Sequence, residues 1–197
     1  CGGTGGCNGA TVQIGFDYVH NAGGIALDSD YSYTSAGGKS GVCEDEQHKS
    51  QFKYQVGGYQ QVIPNNKTDL LLALQSGPVA IIVAAASWSF YGGGIYTGCS
   101  SSNDYEIDHA VVLIAYGHEL STGTSYYTIR NSWGPGWGEN GNIRVFASAD
   151  GTAEKCGTDT AVYDGSACQT DPNPRTLACG ECGLLYDSAF PYHITKV

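Results

Sequence analysis

The amino-acid sequence predicts an α+β protein, with a small helical part ahead of a larger β-rich part. Three observations carry this: an amphipathic helical stretch near the start, a series of apolar or alternating segments after Gly77, and Gly, Ser and Asn clusters between those segments. A chain of 197 residues is long enough for one large domain or two small ones sharing a cleft.

In chain order, Thr11 to His20 places Val12, Phe16 and Val19 at helical spacing, and Asn21-Ala22-Gly23-Gly24 is a C-terminal stop signal. Ile25 to Tyr33 reads as extended chain and turns. The character changes at Gly57-Gly58, where Asn65 or Asn66 can cap a Leu-rich helix from about Thr68 to Gln75. Strands are expected over Pro78–Ala86, His109–Tyr116, Ser125–Arg130 and Gly141–Ala147. From Ala149 to Gly180 the pattern dissolves into Asp, Gly, Thr and Pro with three cysteines, which reads as a loop excursion held by disulfides. The expected division is therefore residues 1–58 as a first domain, and residues 59–197 as a β-rich second domain with a Cys-containing insertion at about 149–180.

Composition narrows the class. Eight cysteines and no methionine suggest disulfides and an oxidising compartment, either lysosomal or vacuolar, or extracellular. A net charge of −10 argues against nucleic acid as a partner, because phosphates would be repelled. No apolar run approaches the roughly eighteen residues of a membrane span, and Cys1-Gly2-Gly3 does not begin a signal peptide. A soluble chain, trimmed or incomplete at its start, is expected. Asn66-Lys67-Thr68 is an N-glycosylation sequon, with Asn66 as the acceptor.

Among five histidines, only His109 opens an apolar strand, in Ile107-Asp108-His109-Ala110-Val111-Val112. A strand start sets an imidazole on rigid backbone at a cleft edge, where it serves equally as a structural histidine or as a general base. The second feature is Arg130-Asn131-Ser132-Trp133-Gly134-Pro135-Gly136-Trp137-Gly138-Glu139-Asn140-Gly141, an amide and two indoles on a Gly-rich loop after a strand. An Asn oxygen can accept from an imidazole N–H and hold the ring, while an overlying Trp keeps water from that bond. Other motifs fail. Gly37-Gly38-Lys39-Ser40 ends like a phosphate loop but has Tyr33 where that loop needs Gly, and Cys179-x-x-Cys182 has no second pair to complete a zinc site. No metal or organic cofactor is expected.

Together the two segments resemble the papain and cathepsin family of cysteine peptidases, in which Asp-His-Ala-Val and Asn-Ser-Trp-Gly-x-Gly-Trp-Gly-Glu-x-Gly frame the catalytic His and Asn. The resemblance extends over most of the chain. Gly6-Cys7-Asn8-Gly9 is similar to the family's Gly-Cys-Asn-Gly-Gly cleft wall, Tyr31-Ser32-Tyr33 to its Tyr-Pro-Tyr, Gly77-Pro78-Val79 to a strand entry, and Cys182 to Pro191 to its last strand. The resemblance implies a two-domain papain-like fold, incomplete at the N-terminus, and peptide-bond hydrolysis in which His109 is the acid and base and Asn131 orients it. It also implies that Trp133 covers their bond, that Trp133 and Trp137 line the leaving-group side, and that Gly9, Ala10 and Asp108 adjoin substrate. Ile82 and Ile107 would wall the pocket for the second residue before the cut bond, with Asp187 at its far end or turned to solvent. The implied disulfides are Cys1–Cys43 and Cys99–Cys182, with Cys7 bonded outside the chain; Cys168–Cys179 is a further choice that leaves Cys156 unassigned.

Three departures stand out. No cysteine here is followed by Trp, as the family's nucleophile is, and family order places that segment upstream of Cys1. Ala10 replaces the second Gly of the cleft wall, and the 149–180 insertion is unlike plant and animal members. The expectation is a heavy-chain-like part of a cysteine endopeptidase, inactive alone, with a peptide or protein substrate. Its partner would be an N-terminal light-chain-like segment, or another protein covering the exposed domain face. The alternative is a non-catalytic papain-like scaffold or binding module.

Overall fold

A computed structural model of the chain describes residues 9–99, 104–149, 152–162 and 175–197, apart from the side chain of Asp45. The chain divides into two units, one of Gln61–Phe190 and one of Cys1–Gln60 with Pro191–Val197.

In the first unit, helix α1 (Val12–Ala22) stops where the sequence signals it. Gly23 takes φ 87°, and the N–H groups of Gly23 and Gly24 close back on His20 O and Val19 O, the paired bonds of a Schellman cap. Gly24 is also a close-approach position, since a Cβ there would stand 2.9 Å from Tyr54 O. Strand β1 (Ile25–Ala26) follows, then the short helix α2 (Asp45–His48) and β2 (Phe52–Gln55). The last strand, β13 (Thr195–Lys196), pairs antiparallel with β2, and Val197 N donates to Lys53 O at 2.9 Å. Residues 191–197 therefore group with the first unit, whereas the sequence alone assigns them to the second; the pairing is non-local and leaves no mark on their composition.

Most of a seven-stranded sheet, in the order β3-β12-β4-β7-β8-β9-β5, lies in the second unit. These strands are β3 (Gly58–Gln61), β4 (Val79–Val83), β5 (Ile95–Tyr96), β7 (His109–Glu119), β8 (Thr124–Arg130), β9 (Asn142–Ala147) and β12 (Ser188–Tyr192). Period-two burial explains why these segments pair as they do. Val79, Ile81 and Val83 of β4, Val111 and Leu113 of β7, Tyr127 and Ile129 of β8, and Ile143 and Val145 of β9 all enter one core with Trp88. Each such aliphatic side chain contributes about 1.5–3 kcal/mol on burial. A bulge between Leu113 and Ala115 breaks the register of β7 against β8. Helix α3 (Lys67–Ser76) packs Leu70 and Ala73 inward, and of the two candidate caps it uses Asn66, whose Oδ1 accepts from Asp69 N at 3.1 Å.

The 149–180 insertion is more regular than a loop excursion. Strands β10 (Cys156–Asp159) and β11 (Thr176–Cys179) pair antiparallel, and β10 also runs parallel to β6 (Asp104–Tyr105). Four-residue strands amid Gly and Thr are too short to show a period, and a distant segment supplies the pairing. The register sets Cys156 opposite Cys179, and these two form a disulfide, which corrects the Cys168–Cys179 pairing. The Cys99–Cys182 disulfide is formed as expected. Cys1, Cys7 and Cys168 lie outside the described residues, so the Cys1–Cys43 pairing falls there too. Among the described residues, no helix is long and apolar enough to cross a membrane.

Candidate active site

Two strand ends bring the central pair together. His109 opens β7 opposite Val83, the last residue of β4. Just before it, Asp108 N donates to Val83 O at 3.1 Å and Asp108 Oδ1 accepts from Ala85 N at 2.9 Å, so the entry into β7 is fastened on both sides. Asn131 follows β8, where its N–H donates to Gly141 O at 2.9 Å. His109 Nε2 and Asn131 Oδ1 are 2.9 Å apart.

The hydrogen bonds fix the roles of the atoms. Asn131 Oδ1 also accepts from Ser132 N at 2.7 Å, which identifies that atom as the oxygen. An amide oxygen only accepts, so His109 Nε2 must be the donor, and in the neutral ring Nδ1 is then the basic nitrogen. Asn131 is buried, and its Nδ2 has no partner among the described residues. Leaving a donor unpaired there costs about 1–3 kcal/mol. Its Oδ1, by contrast, accepts from both His109 Nε2 and Ser132 N.

Above the pair, the Trp133 ring stacks on His109 with centroids 5.3 Å apart. Trp133 meets Trp137 edge-on at 5.1 Å, and Trp137 packs on Trp88 and Tyr91 while donating from Nε1 to Trp88 O at 3.3 Å. Trp88 is fully buried and donates to Cys182 Sγ, which is itself disulfide-bonded to Cys99. An aromatic column thus runs from the core to the imidazole. Trp137 belongs to its lower part, and of the two indoles it is Trp133 that stacks on the ring of His109.

The loop carrying these indoles is anchored by charge. Glu139 accepts from Arg144 Nε and Nη2 at 2.9 and 2.8 Å and from Gly94 N at 2.9 Å, and Arg144 Nη1 reaches Glu119 Oε1 at 3.2 Å. The Arg144 hydrogen bonds, the largest influence, hold the Glu139 carboxyl below its usual value, and the Thr122 hydroxyl followed by Arg144 does the same for Glu119. Burial, the largest influence on Tyr91, pushes its phenol up; its hydroxyl donates to Gly94 O at 2.6 Å. Gly138 has φ 54°, and a Cβ there would stand 2.5 Å from Asn142 O, so no other residue fits this turn.

The remaining predicted residues are distributed as follows. Ile82, half-buried on β4, donates its N–H to Asp187 O at 3.2 Å, which brings those two positions together; the Asp187 side chain is half-buried. Ile107 is buried, 6% exposed. Gly9, with φ 74°, and Ala10 precede α1 in the first unit. Beside Asn131, a depression of about 540 Å³ is bounded by Ala110, Val112, Arg130, Ser132 and Pro135. The closest approach to a metal-ligand set among the described residues is Cys99, Glu181 and Cys182, but the disulfide consumes both thiols.

Sequence reasoning missed Trp88 and the Arg144 network. Trp88 lies in Ser87-Trp88-Ser89-Phe90, which has no period, and Arg144 alternates with apolar residues like any outward strand position.

The family model described as papain family cysteine protease matches residues 1–165. The chain belongs to that family. It is 36% identical over 172 residues to germination-specific cysteine protease 1 of Arabidopsis thaliana, covering 86% of this chain and 43% of that protein. It is 34% identical over 172 residues to cysteine protease 1 of Oryza sativa subsp. japonica, covering 86% of this chain and 33% of that protein. Among solved structures, the recombinant stem bromelain precursor gives a TM-score of 0.71 at 27% identity, covering 98% of this chain and 52% of that one. The bromelain protease of Ananas comosus, bound to the E64 inhibitor, gives 0.69 at 26% identity, covering 93% and 70%. The chain thus spans about a third to under half the length of these two plant relatives. The papain-like α+β fold, with its β-rich sheet, is common to these structures and this chain.

Proposed function

We propose that this chain supplies the histidine and asparagine of a cysteine endopeptidase, with His109 as acid and base and Asn131 as its orienting partner. The observation that carries the reading is the 2.9 Å bond from His109 Nε2 to Asn131 Oδ1 beneath Trp133, which leaves Nδ1 for a thiol. None of the eight cysteines is followed by Trp, and four of those described are consumed in disulfides. The nucleophile is therefore assigned to a partner segment.

In this mechanism a partner thiolate attacks the peptide carbonyl carbon, and the C–N bond breaks as His109 Nδ1 delivers its proton to the leaving amine. Nδ1 next takes a proton from water, whose oxygen attacks the thioester. The C–S bond breaks, the thiolate returns, and the proton stays on His109. Asn131 holds the ring in one plane through both transfers, and Trp133 keeps water from the Nε2 bond. Ile82, Ile107 and Asp187 are assigned to the pocket for the second residue before the cut bond. Two disulfides support an oxidising compartment, vacuolar, lysosomal or extracellular.

The test compares the chain alone with the chain joined to a nucleophile-bearing papain-type segment. The chain alone should neither hydrolyse peptides nor react with a thiol-directed epoxide at any of its own cysteines. The joined protein should do both, with the label on the partner segment. Turnover with the label on one of the eight cysteines here would place the active site elsewhere. Failure of the joined protein to react would favour the scaffold reading.

A further inference from the structure

Away from the His109 pair, the chain buries a carboxylate that the reaction does not use. Asp159 is 3% exposed at the end of β10, and among the described residues no cation faces it. Its oxygens instead accept two backbone N–H groups, Oδ1 from Ala161 at 2.8 Å and Oδ2 from Ile107 at 3.3 Å. An isolated carboxylate is strongly disfavoured in a protein interior unless donors converge on it, so the arrangement fixes those donors as firmly as they fix it. Ile107 lies two residues before His109.

The side chain of Ile107 and the inserted hairpin share a neighbour, Gly183. β10 runs parallel to β6, with Asp159 level with Tyr105. Gly183 sits at the meeting point: a Cβ there would stand 2.6 Å from Ile107 Cδ1, 3.1 Å from Ala178 Cβ on β11 and 3.3 Å from Tyr105 Cδ2. The Cys156–Cys179 disulfide ties β10 to β11. The carboxylate accepts the Ile107 N–H, and Ile107 Cδ1 and Ala178 Cβ both border the space over Gly183.

We infer that Asp159 is a positioning residue, through which the inserted β10–β11 hairpin fixes Ile107 as a pocket wall and so sets the preference for an apolar second residue before the cut bond. The inference rests on the assignment of Ile107 to that pocket under the proposed function. Asn at position 159 retains one acceptor and turns a donor amide toward an N–H that needs an oxygen, which loosens the wall without leaving the site empty.

The experiment uses the complete enzyme, its active sites counted with a thiol-directed epoxide, on paired substrates carrying Leu or Ala at that second position. In Asp159→Asn, kcat/KM for the Leu substrate should fall about three- to tenfold, chiefly through KM, while the Ala substrate changes less than about twofold. Ile107→Ala should shift the ratio in the same direction, and Asp159→Asn added to it should shift the ratio no further. Proportional losses on both substrates, or full additivity of the two substitutions, would overturn the inference. If Asp159→Asn does not fold by thermal melting, Ala178→Gly removes the hairpin methyl bordering the space that Ile107 Cδ1 also borders, and an unchanged Leu-to-Ala ratio there overturns the inference equally. His109→Ala runs alongside. Retained turnover in that variant refutes the proposed function itself, whereas a dead His109→Ala with an unmoved ratio in Asp159→Asn refutes only the role of Asp159.

Discussion

Replacing Glu139 by Gln tests whether charge anchors the loop that carries Trp133 and Trp137. Gln keeps the shape and one acceptor for Gly94 N but removes the charge that receives Arg144 through two parallel bonds of 2.8 and 2.9 Å. A charge-assisted pair of this geometry is worth about 1.5–3 kcal/mol when well buried. Side-chain exposures of 25% for Arg144 and 32% for Glu139 admit solvent screening, which reduces the expectation to about 1–2 kcal/mol. For a protein of this size that corresponds to a melting point lower by about 2–8 °C at pH 7. The sign with pH follows from the direction of the shift. The Glu139 carboxyl is held below its usual value of 4.5, so its contribution is full above that pH and disappears as pH falls through the lowered, folded-state value. Thermal melting of the wild type and Glu139→Gln from pH 7 down to about pH 2.5 should therefore show a gap that is constant to about pH 5 and then closes. A gap unchanged across the range would mean that shape rather than charge secures the loop, and the argument from Arg144 would fail.

Three further outcomes follow from the same geometry. Asn131→Ala should lower kcat of the complete enzyme about 10- to 100-fold with KM within about threefold, since a hydrogen bond to a charged ring is lost at a step after binding; a loss confined to KM would show that Asn131 does not orient His109. Asp187→Ala should reduce kcat/KM about five- to thirtyfold for substrates with Arg at the second position before the cut bond and spare those with Leu, as a partly exposed charge pair allows; equal effects on both would place its carboxylate outside the pocket. On a secreted preparation, Asn66→Asp should remove an N-linked glycan from the intact mass, because the amide nitrogen is gone. The helix cap should survive with it, because the oxygen that accepts from Asp69 N remains; an unaltered mass would mean that the sequon carries no glycan.

What the sequence disclosed was decided by where each restraint originates. Helix α1 was legible because its apolar spacing and its Gly23-Gly24 stop lie within a few residues of one another, and β7, β8 and β9 because one buried face imposes a period of two. His109 and Asn131 were legible only as a pair: alone, His109 suits a structural imidazole, and the Gly-rich loop gives Asn131 its partner and its cover. What stayed hidden depends on pairing with distant chain. β10 acquires its strand character from β6, some fifty residues earlier in sequence, and Cys156 acquires its partner from the register with β11 rather than from any spacing motif. Ile107 shows the consequence for function. Its apolar character was readable, but Asp159, the carboxylate that accepts its N–H, comes from an insertion whose composition reads as loop. The inserted hairpin therefore reaches the backbone leading into β7 without contributing a residue to the His109–Asn131 pair. Under the role proposed for Asp159, a change in the insertion should alter which side chain is accepted while the His109–Asn131 geometry stays as it is.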